Sequence, residues 1–284
     1  MDIQAARFAN RERSMEALKL GIIAGGGTLP ALLASACLES GRDYLLLAIE
    51  GFADPASLKD HPHVWFRLGE GGKGIKLLRE NGVEDVVLAG AVRRPSLKEL
   101  RPDSWAIRFF AKLGKAWIGD NSLLSALVGA LEAEGFRVVG SDSILAECLA
   151  IAGPYGKILP DDVAQTDIDR GFAVVRQLGT LDIGQATIVQ QGIVLAVEGA
   201  EGTDQLIRRC ADLHREGPGG VLVKARKPGQ DQRVDLPTIG IGTIRAAVDS
   251  GLRGIAIEAG GVMVFDREVA IGLANQAGLF VIGV

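Results

Sequence analysis

Histidine, cysteine and tyrosine are scarce in this chain: of 284 residues, three are His, three are Cys and two are Tyr. His61, His63 and His214 are too few and too scattered for a histidine-rich dimetal phosphoesterase site, and His61-Pro62-His63 reads as a polar loop. Cys37, Cys148 and Cys210 are odd in number, widely spaced and set in apolar helical patterns. That excludes a disulfide framework and a Cys-x-x-Cys motif, and leaves buried thiols in a reducing compartment. Neither charge sign dominates: 31 Lys and Arg stand against 35 Asp and Glu, interspersed, for a net charge of -4. No electropositive face for nucleic acid follows from such a balance. No apolar run reaches membrane-spanning length, and residues 1–20 are charged throughout with no signal-peptide core, so the expected compartment is the cytoplasm. No Ser-His-Asp arrangement is legible either. Carboxylate-bound metal and cationic side chains are the chemistry that remains.

Glycine and aliphatic residues are what the chain has in quantity, with 38 Gly and 48% hydrophobic residues, enough for a large core split between two domains. A strand at 18–24 runs into Gly25-Gly26-Gly27-Thr28-Leu29-Pro30, a helix at 31–39 and a strand at 44–49. Helix 71–81, strand 85–90, helix 122–135 and strand 137–140 continue an alternation that predicts a mostly parallel sheet covered on both faces. Residues 150–165 lose the period and hold Gly153-Pro154-Tyr155-Gly156, which places a domain boundary after Leu149. The expected domains are therefore 1–149 and 150–284. The second reads as helix 167–179, a hairpin of 186–190 with 193–198, a helix after Thr203 and strand 220–223. Helix 243–250, strands 255–257 and 262–264, helix 267–277 and strand 279–282 complete a second, mixed α/β domain.

Two polar clusters carry the chemistry. Glu198-Gly199-Ala200-Glu201-Gly202-Thr203-Asp204 puts three carboxylates between a strand and a helix, where a helix N-terminus welcomes phosphate and closely spaced carboxylates suit magnesium. The same residues also fit an ordinary helix start, with Thr203 or Asp204 as the cap. Downstream, Lys224 ends an apolar strand, where α/β sheets place their ligands, and cations alternate with carboxylates through Lys227, Gln230, Asp231, Arg233 and Asp235. A solvated loop is the alternative there.

Other segments leave both readings open. Gly25, Gly26 and Gly27 fit a generic phosphate loop or a tight strand–helix turn, because Pro30 stands where the dinucleotide fingerprint needs glycine. Gly69-Glu70-Gly71-Gly72-Lys73-Gly74 is no P-loop, with Arg67 and Gly74 at positions where that motif has glycine and Ser/Thr. Asp120 or Asn121 caps a helix or touches ligand. Trp105, Phe109, Leu113 and Trp117, interleaved with Arg108, Lys112 and Lys115, form a core stripe or a face for a lipid surface or acyl chain.

Several longer segments, in order, carry a resemblance: residues 21–30, Ala89-Gly90-Ala91-Val92-Arg93-Arg94-Pro95, Gly119-Asp120-Asn121-Ser122-Leu123-Leu124, Asp182-Ile183-Gly184-Gln185-Ala186, residues 198–204, Val223-Lys224 and Asp235-Leu236-Pro237-Thr238-Ile239-Gly240. From Leu18 onward the chain resembles the UDP-2,3-diacylglucosamine pyrophosphatases of lipid A synthesis, the family unrelated to the calcineurin-like enzyme of the same activity. The resemblance implies a Rossmann-like N-terminal domain, a ligand in the interdomain cleft, and hydrolysis to UMP and 2,3-diacylglucosamine 1-phosphate (lipid X), assisted by magnesium or manganese. It implies water attack on the sugar-side phosphorus and peripheral placement on the inner face of the inner membrane. Under this reading Glu198, Glu201 and Asp204 hold metal, joined by Asp231 and Asp235 for metal and water. Lys224, Lys227 and Arg233 hold the phosphates, with Thr203 and Gln230 assisting. Gly25, Gly26, Gly27, Asp120 and Asn121 meet the nucleotide from the first domain. The rivals are another nucleotide-sugar enzyme, such as a transferase, and a non-catalytic nucleotide-sugar binding module whose carboxylates are caps.

Overall fold

The computed structural model describes residues 18–93, 100–113, 120–229, 233 and 236–284. The chain groups into two compact units, the first of residues 1–145 with 233–235, the second of residues 146–232 with 236–284.

In the first unit, β1 (Leu20–Ala24) is a short aliphatic run, buried on both faces, that can only sit inside a covered sheet. It pairs in parallel with β2 (Tyr44–Ile49) on one side and β4 (Asp85–Ala89) on the other, and β3 (His63–Phe66) and β5 (Arg137–Val138) extend the edges, also in parallel. The order β3-β2-β1-β4-β5 is the doubly wound, Rossmann-like arrangement, in which strand order reverses between β1 and β4. Helices α1 (Leu29–Ser40), α2 (Pro55–Leu58), α3 (Gly71–Glu80), α4 (Ser104–Leu113) and α5 (Asp120–Ala133) intervene. Pro30 lies in the first turn of α1, where its missing N–H costs nothing, and Gly41 ends that helix in the left-handed conformation. His63, expected in a polar loop, instead opens β3; that strand is an edge strand with one buried residue, so it lacks the apolar run that marks an inner strand. At the amino ends of the strands the buried Asp85 carboxylate accepts from Arg42 at 2.6 Å and from Arg137 at 2.6 and 2.8 Å.

The second unit is built on a six-stranded sheet of order β6-β13-β11-β9-β7-β8. Its centre is parallel: β9 (Val221–Lys224), β11 (Gly254–Ile257) and β13 (Phe280–Gly283). β6 (Gly153–Pro154) closes one edge antiparallel, and the hairpin β7 (Ala186–Gln190) with β8 (Ile193–Val197) closes the other. The hairpin turn holds Gln191 and Gly192 at positive φ, and the buried Asp167 carboxylate accepts both of their N–H groups. One sheet face packs Ile188, Leu222 and Ile255 against α7 (Thr203–Cys210), α8 (Ile241–Asp249) and α9 (Arg267–Gln276). The other packs Val221, Val223 and Ala256 against Ile168, Phe172 and Val175 of α6 (Asp162–Thr180). That helix starts five residues before the expected position, because Asp161 caps it by accepting from the Ala164 amide at 2.8 Å. A separate two-stranded parallel ladder joins β10 (Thr238–Ile239) to β12 (Met263–Val264).

Candidate functional site

The carboxyl end of the second sheet gathers the charged groups. Ala186 on β7 lies between Lys224 on β9 and Glu198 just past β8: Ala186 pairs with Lys224, and its carbonyl accepts from the Glu198 amide. Ala196 and Leu222, two residues earlier on the same strands, belong to the apolar layer under α7 and α8, so strand alternation turns Glu198 and Lys224 to that same face. Both are 5% exposed. Buried charges require partners, and these have them. Glu198 Oε2 accepts from the Gln185 amide at 2.8 Å and Oε1 from the Thr203 hydroxyl at 2.8 Å, while Lys224 Nζ donates to the Thr238 carbonyl at 2.8 Å.

Thr203 is therefore a partner of Glu198 rather than a helix cap; Gly202 holds the cap position of α7, and Asp204 is exposed in its first turn. Glu201 is turned away onto Arg209, at 2.8 Å, and accepts from the Gly199 amide. Hydrogen bonds from its own backbone N–H and the Arg209 guanidinium hold its carboxyl below the ordinary range. The expected metal set of Glu198, Glu201 and Asp204 is thus not gathered, and among the described residues no group of three or more His, Cys, Asp or Glu is placed to hold an ion. The short spacing that brings these residues together in sequence does not do so in space, because the chain turns from strand to helix between them.

Beyond Lys224 the loop stays in contact with the sheet edge. Lys227 Nζ donates to Asp182 Oδ1 at 2.8 Å, and the Arg226 amide to Glu258 Oε2 at 2.9 Å. Arg233 groups with the first unit, where it pairs with Glu132 at 2.6 Å. Gln230, Asp231 and Asp235 lie outside the described residues, as do the side chains of Asp120 and Asn121 at the start of α5. Of the residues of this edge, Asp182 and Gln185 belong to a segment that carries the resemblance but has no role assigned to it, and Glu258 belongs to none of those segments. Asp182 and Gln185 stand in a loop before a strand, and Glu258 follows β11 alone, so none has a charged neighbour in sequence to draw notice. Among the described residues, the buried Gln185 Oε1 has no hydrogen-bond partner.

In the first unit the glycine loop sits at the reversal between β1 and β4. The Gly25 amide donates to the Ala89 carbonyl, and Gly26 exchanges two hydrogen bonds with Ala91. A Cβ at Gly25 would stand 2.7 Å from the Ala91 oxygen, and one at Gly90, at φ +88°, would stand 2.3 Å from the Gly26 oxygen. Two glycines are thus required by the mutual approach of two loops. Gly27 differs: it is exposed, at φ +89°, with open space beside its Cα just before the N-terminus of α1. On α4, Trp105 stacks on Phe109 with ring centroids 5.6 Å apart and donates to Glu134 at 2.7 Å, as a packed stripe does; Trp117 lies outside the described residues.

A family model of the LpxI N-terminal domain matches residues 19–148, and one of the LpxI C-terminal domain matches residues 151–282. The chain belongs to the LpxI family. A curated relative, the UDP-2,3-diacylglucosamine pyrophosphatase LpxI of Caulobacter vibrioides, is 45% identical over 273 residues, covering 94% of this chain and 97% of its own length. Among solved structures, CobK precorrin-6A reductase aligns at 13% identity over 94% of this chain and 87% of its own, with a TM-score of 0.32. A Stenotrophomonas maltophila UDP-glucose-4-epimerase with bound NAD and formylated UDP-arabinopyranose aligns at 12% identity over 94% and 77%, also at 0.32. Within the LpxI family frame, Asp182, Gln185, Glu198, Lys224, Lys227 and Glu258 all fall in the C-terminal domain.

Proposed function

We propose that the chain hydrolyses the pyrophosphate bond of UDP-2,3-diacylglucosamine, giving UMP and 2,3-diacylglucosamine 1-phosphate. The observation that carries this reading is the near full-length relationship to a protein named for that activity. The edge geometry supports it: Lys224 and Lys227 supply ammonium donors at the carboxyl end of the second sheet, in a place shielded enough for their charge to act strongly on phosphate oxygens. Glu198 orients the Thr203 hydroxyl at the N-terminus of α7, and Asp231 and Asp235 are the proposed water-activating carboxylates.

Magnesium belongs to the proposal with a restricted role for the protein. Glu201 and Asp204 do not fit a metal cage, since one is taken by Arg209 and the other is exposed in the first turn of α7. Magnesium commonly uses one or two carboxylates together with substrate phosphates, so the pyrophosphate itself is the proposed main ligand. Its chemistry there is neutralisation of phosphate charge. No described helix is long and apolar enough to cross a membrane. With a doubly acylated substrate, contact with the inner face of the inner membrane is proposed to be peripheral.

The test is incubation with UDP-2,3-diacylglucosamine and magnesium in oxygen-18 water, followed by mass spectrometry of both products. Magnesium-dependent UMP with label in the lipid phosphate is expected. Label in UMP overturns the point of attack but not the activity, and absence of UMP overturns the reading.

A further inference from the structure

Four consecutive residues at the end of β9 are each tied down by a different partner. Lys224 Nζ reaches the Thr238 carbonyl at 2.8 Å, the Ala225 amide donates to the Gln185 carbonyl at 3.0 Å, the Arg226 amide to Glu258 Oε2 at 2.9 Å, and Lys227 Nζ to Asp182 Oδ1 at 2.8 Å. The two outer carboxylates are themselves firmly set. Asp182 occupies the left-handed region at φ 54°, just past the C-terminus of α6, where its amide donates to the Gly179 carbonyl. A Cβ at Gly179 would stand 2.6 Å from Pro228 and 3.1 Å from Lys227 Cα, so the helix end and the loop are in direct contact. On the other side the Glu258 amide donates to the Lys224 carbonyl, and a Cβ at Gly261 would meet Glu258 Oε2 at 2.3 Å.

We infer that Asp182 and Glu258 are positioning residues that clamp residues 224–227 from two sides, Asp182 holding the Lys227 ammonium group ready for phosphate and Glu258 fixing the Arg226 backbone. This rests on the proposed hydrolase reading of that edge. An ammonium group has three donors, so Lys227 bound to Asp182 keeps two for phosphate oxygens, aimed by the carboxylate that holds it. Asp182 side-chain exposure is 32% and that of Lys227 is 16%, so the pair is open enough for a ligand to reach and sheltered enough to stay formed. Without Asp182, Lys227 would regain the rotamer freedom of a long side chain, which binding would have to remove again. Glu258 fixes the backbone and not a side chain; its loss frees the Arg226 amide.

A double-mutant cycle with Asp182→Ala and Lys227→Ala separates this role from a structural one. In the otherwise unaltered protein, Asp182→Ala is expected to lower kcat/KM on UDP-2,3-diacylglucosamine by on the order of 10- to 100-fold. In the Lys227→Ala background the same change is expected to cost less than about 2-fold, because the group it acts through is gone. Equal losses in both backgrounds overturn the inference. Hydrogen exchange of the unliganded protein gives a readout independent of turnover. Asp182→Ala and Glu258→Ala should speed amide exchange in residues 224–229 about tenfold with the rest of the second unit unmoved, and Glu258→Gln, which keeps an acceptor, should restore it. Unchanged exchange in that segment overturns the clamp even if the protein is an active hydrolase. Absent UMP release with faster exchange would instead sink the hydrolase reading and leave the clamp.

Discussion

The first unit buries a carboxylate at the amino end of its sheet, whereas the second buries Glu198 at the carboxyl end as well as Asp167 under the hairpin turn at the amino end. Asp85 lies at the amino ends of β2, β4 and β5, pinned between Arg42 and Arg137, while Glu198 and Lys224 flank Ala186 at the carboxyl end of the second sheet. Helix N-termini and connecting loops gather outside carboxyl ends, so a ligand meets that side, whereas charges at amino ends tie strands together. The first unit's own carboxyl end is lined by backbone, Gly25 and Gly26 against Ala91 and Gly90. A buried charge takes its meaning from the sheet end it occupies: at its carboxyl end the first unit presents main chain, and the second presents charged side chains.

The contrast breaks most sharply at Lys224. Lys224→Met should lower kcat by on the order of 100- to 1000-fold while the melting temperature stays near that of the parent; a loss under tenfold in UMP release would move the chemistry elsewhere. Asp85→Ala should behave the other way round. Removing the shared carboxylate leaves the mostly buried Arg42 guanidinium without it, while the exposed Arg137 turns to water, a cost of about 1–3 kcal/mol read from denaturant midpoints, and the folded protein should keep its kcat. An Asp85 variant that is folded but inactive would erase the distinction between the ends.

Gly25→Ala tests the backbone-lined edge. The added methyl would crowd the Ala91 oxygen, costing about 1–3 kcal/mol of stability, and UMP affinity by calorimetry should weaken more than kcat; unaltered affinity would remove this loop from the nucleotide site. The smallest effect belongs to Glu70, whose carboxyl the Arg67 guanidinium holds down to about 2 from an ordinary 4.5. A depressed carboxylate contributes stability above its ordinary value and loses it as pH falls toward the folded value. Glu70→Gln should therefore be less stable than the parent at pH 7 by under about 1 kcal/mol, since Arg67 is half exposed and screened, and the gap should close between pH 5 and about pH 2.

The alternation of aliphatic runs with helical periods made most inner strands legible, because a strand buried on both faces has to be apolar along its length. Edge strands such as β3 and β6 escaped, being short and half exposed. At the site, Lys224 was legible as a charge ending an apolar run, and Glu198 as the first carboxylate after another. Glu201 and Asp204 shared Glu198's sequence neighbourhood but not its surroundings, since hydrogen bonding in the folded loop sends one to Arg209 and leaves the other exposed on α7. Asp182 stood in a segment that carries the resemblance and Glu258 in none, but the pairing of either was illegible because each meets its partner across tens of residues, 45 and 32 apart.

By itself, then, the chain's order of residues determined the two α/β units, the glycine turn after β1 and the family to which it belongs, all properties of local period and contiguous motif. Only the tertiary structure decided which charges meet at the carboxyl end of the second sheet. Strand order and register, not sequence distance, set Glu198 and Lys224 on either side of Ala186 and brought Asp182 and Glu258 onto one loop.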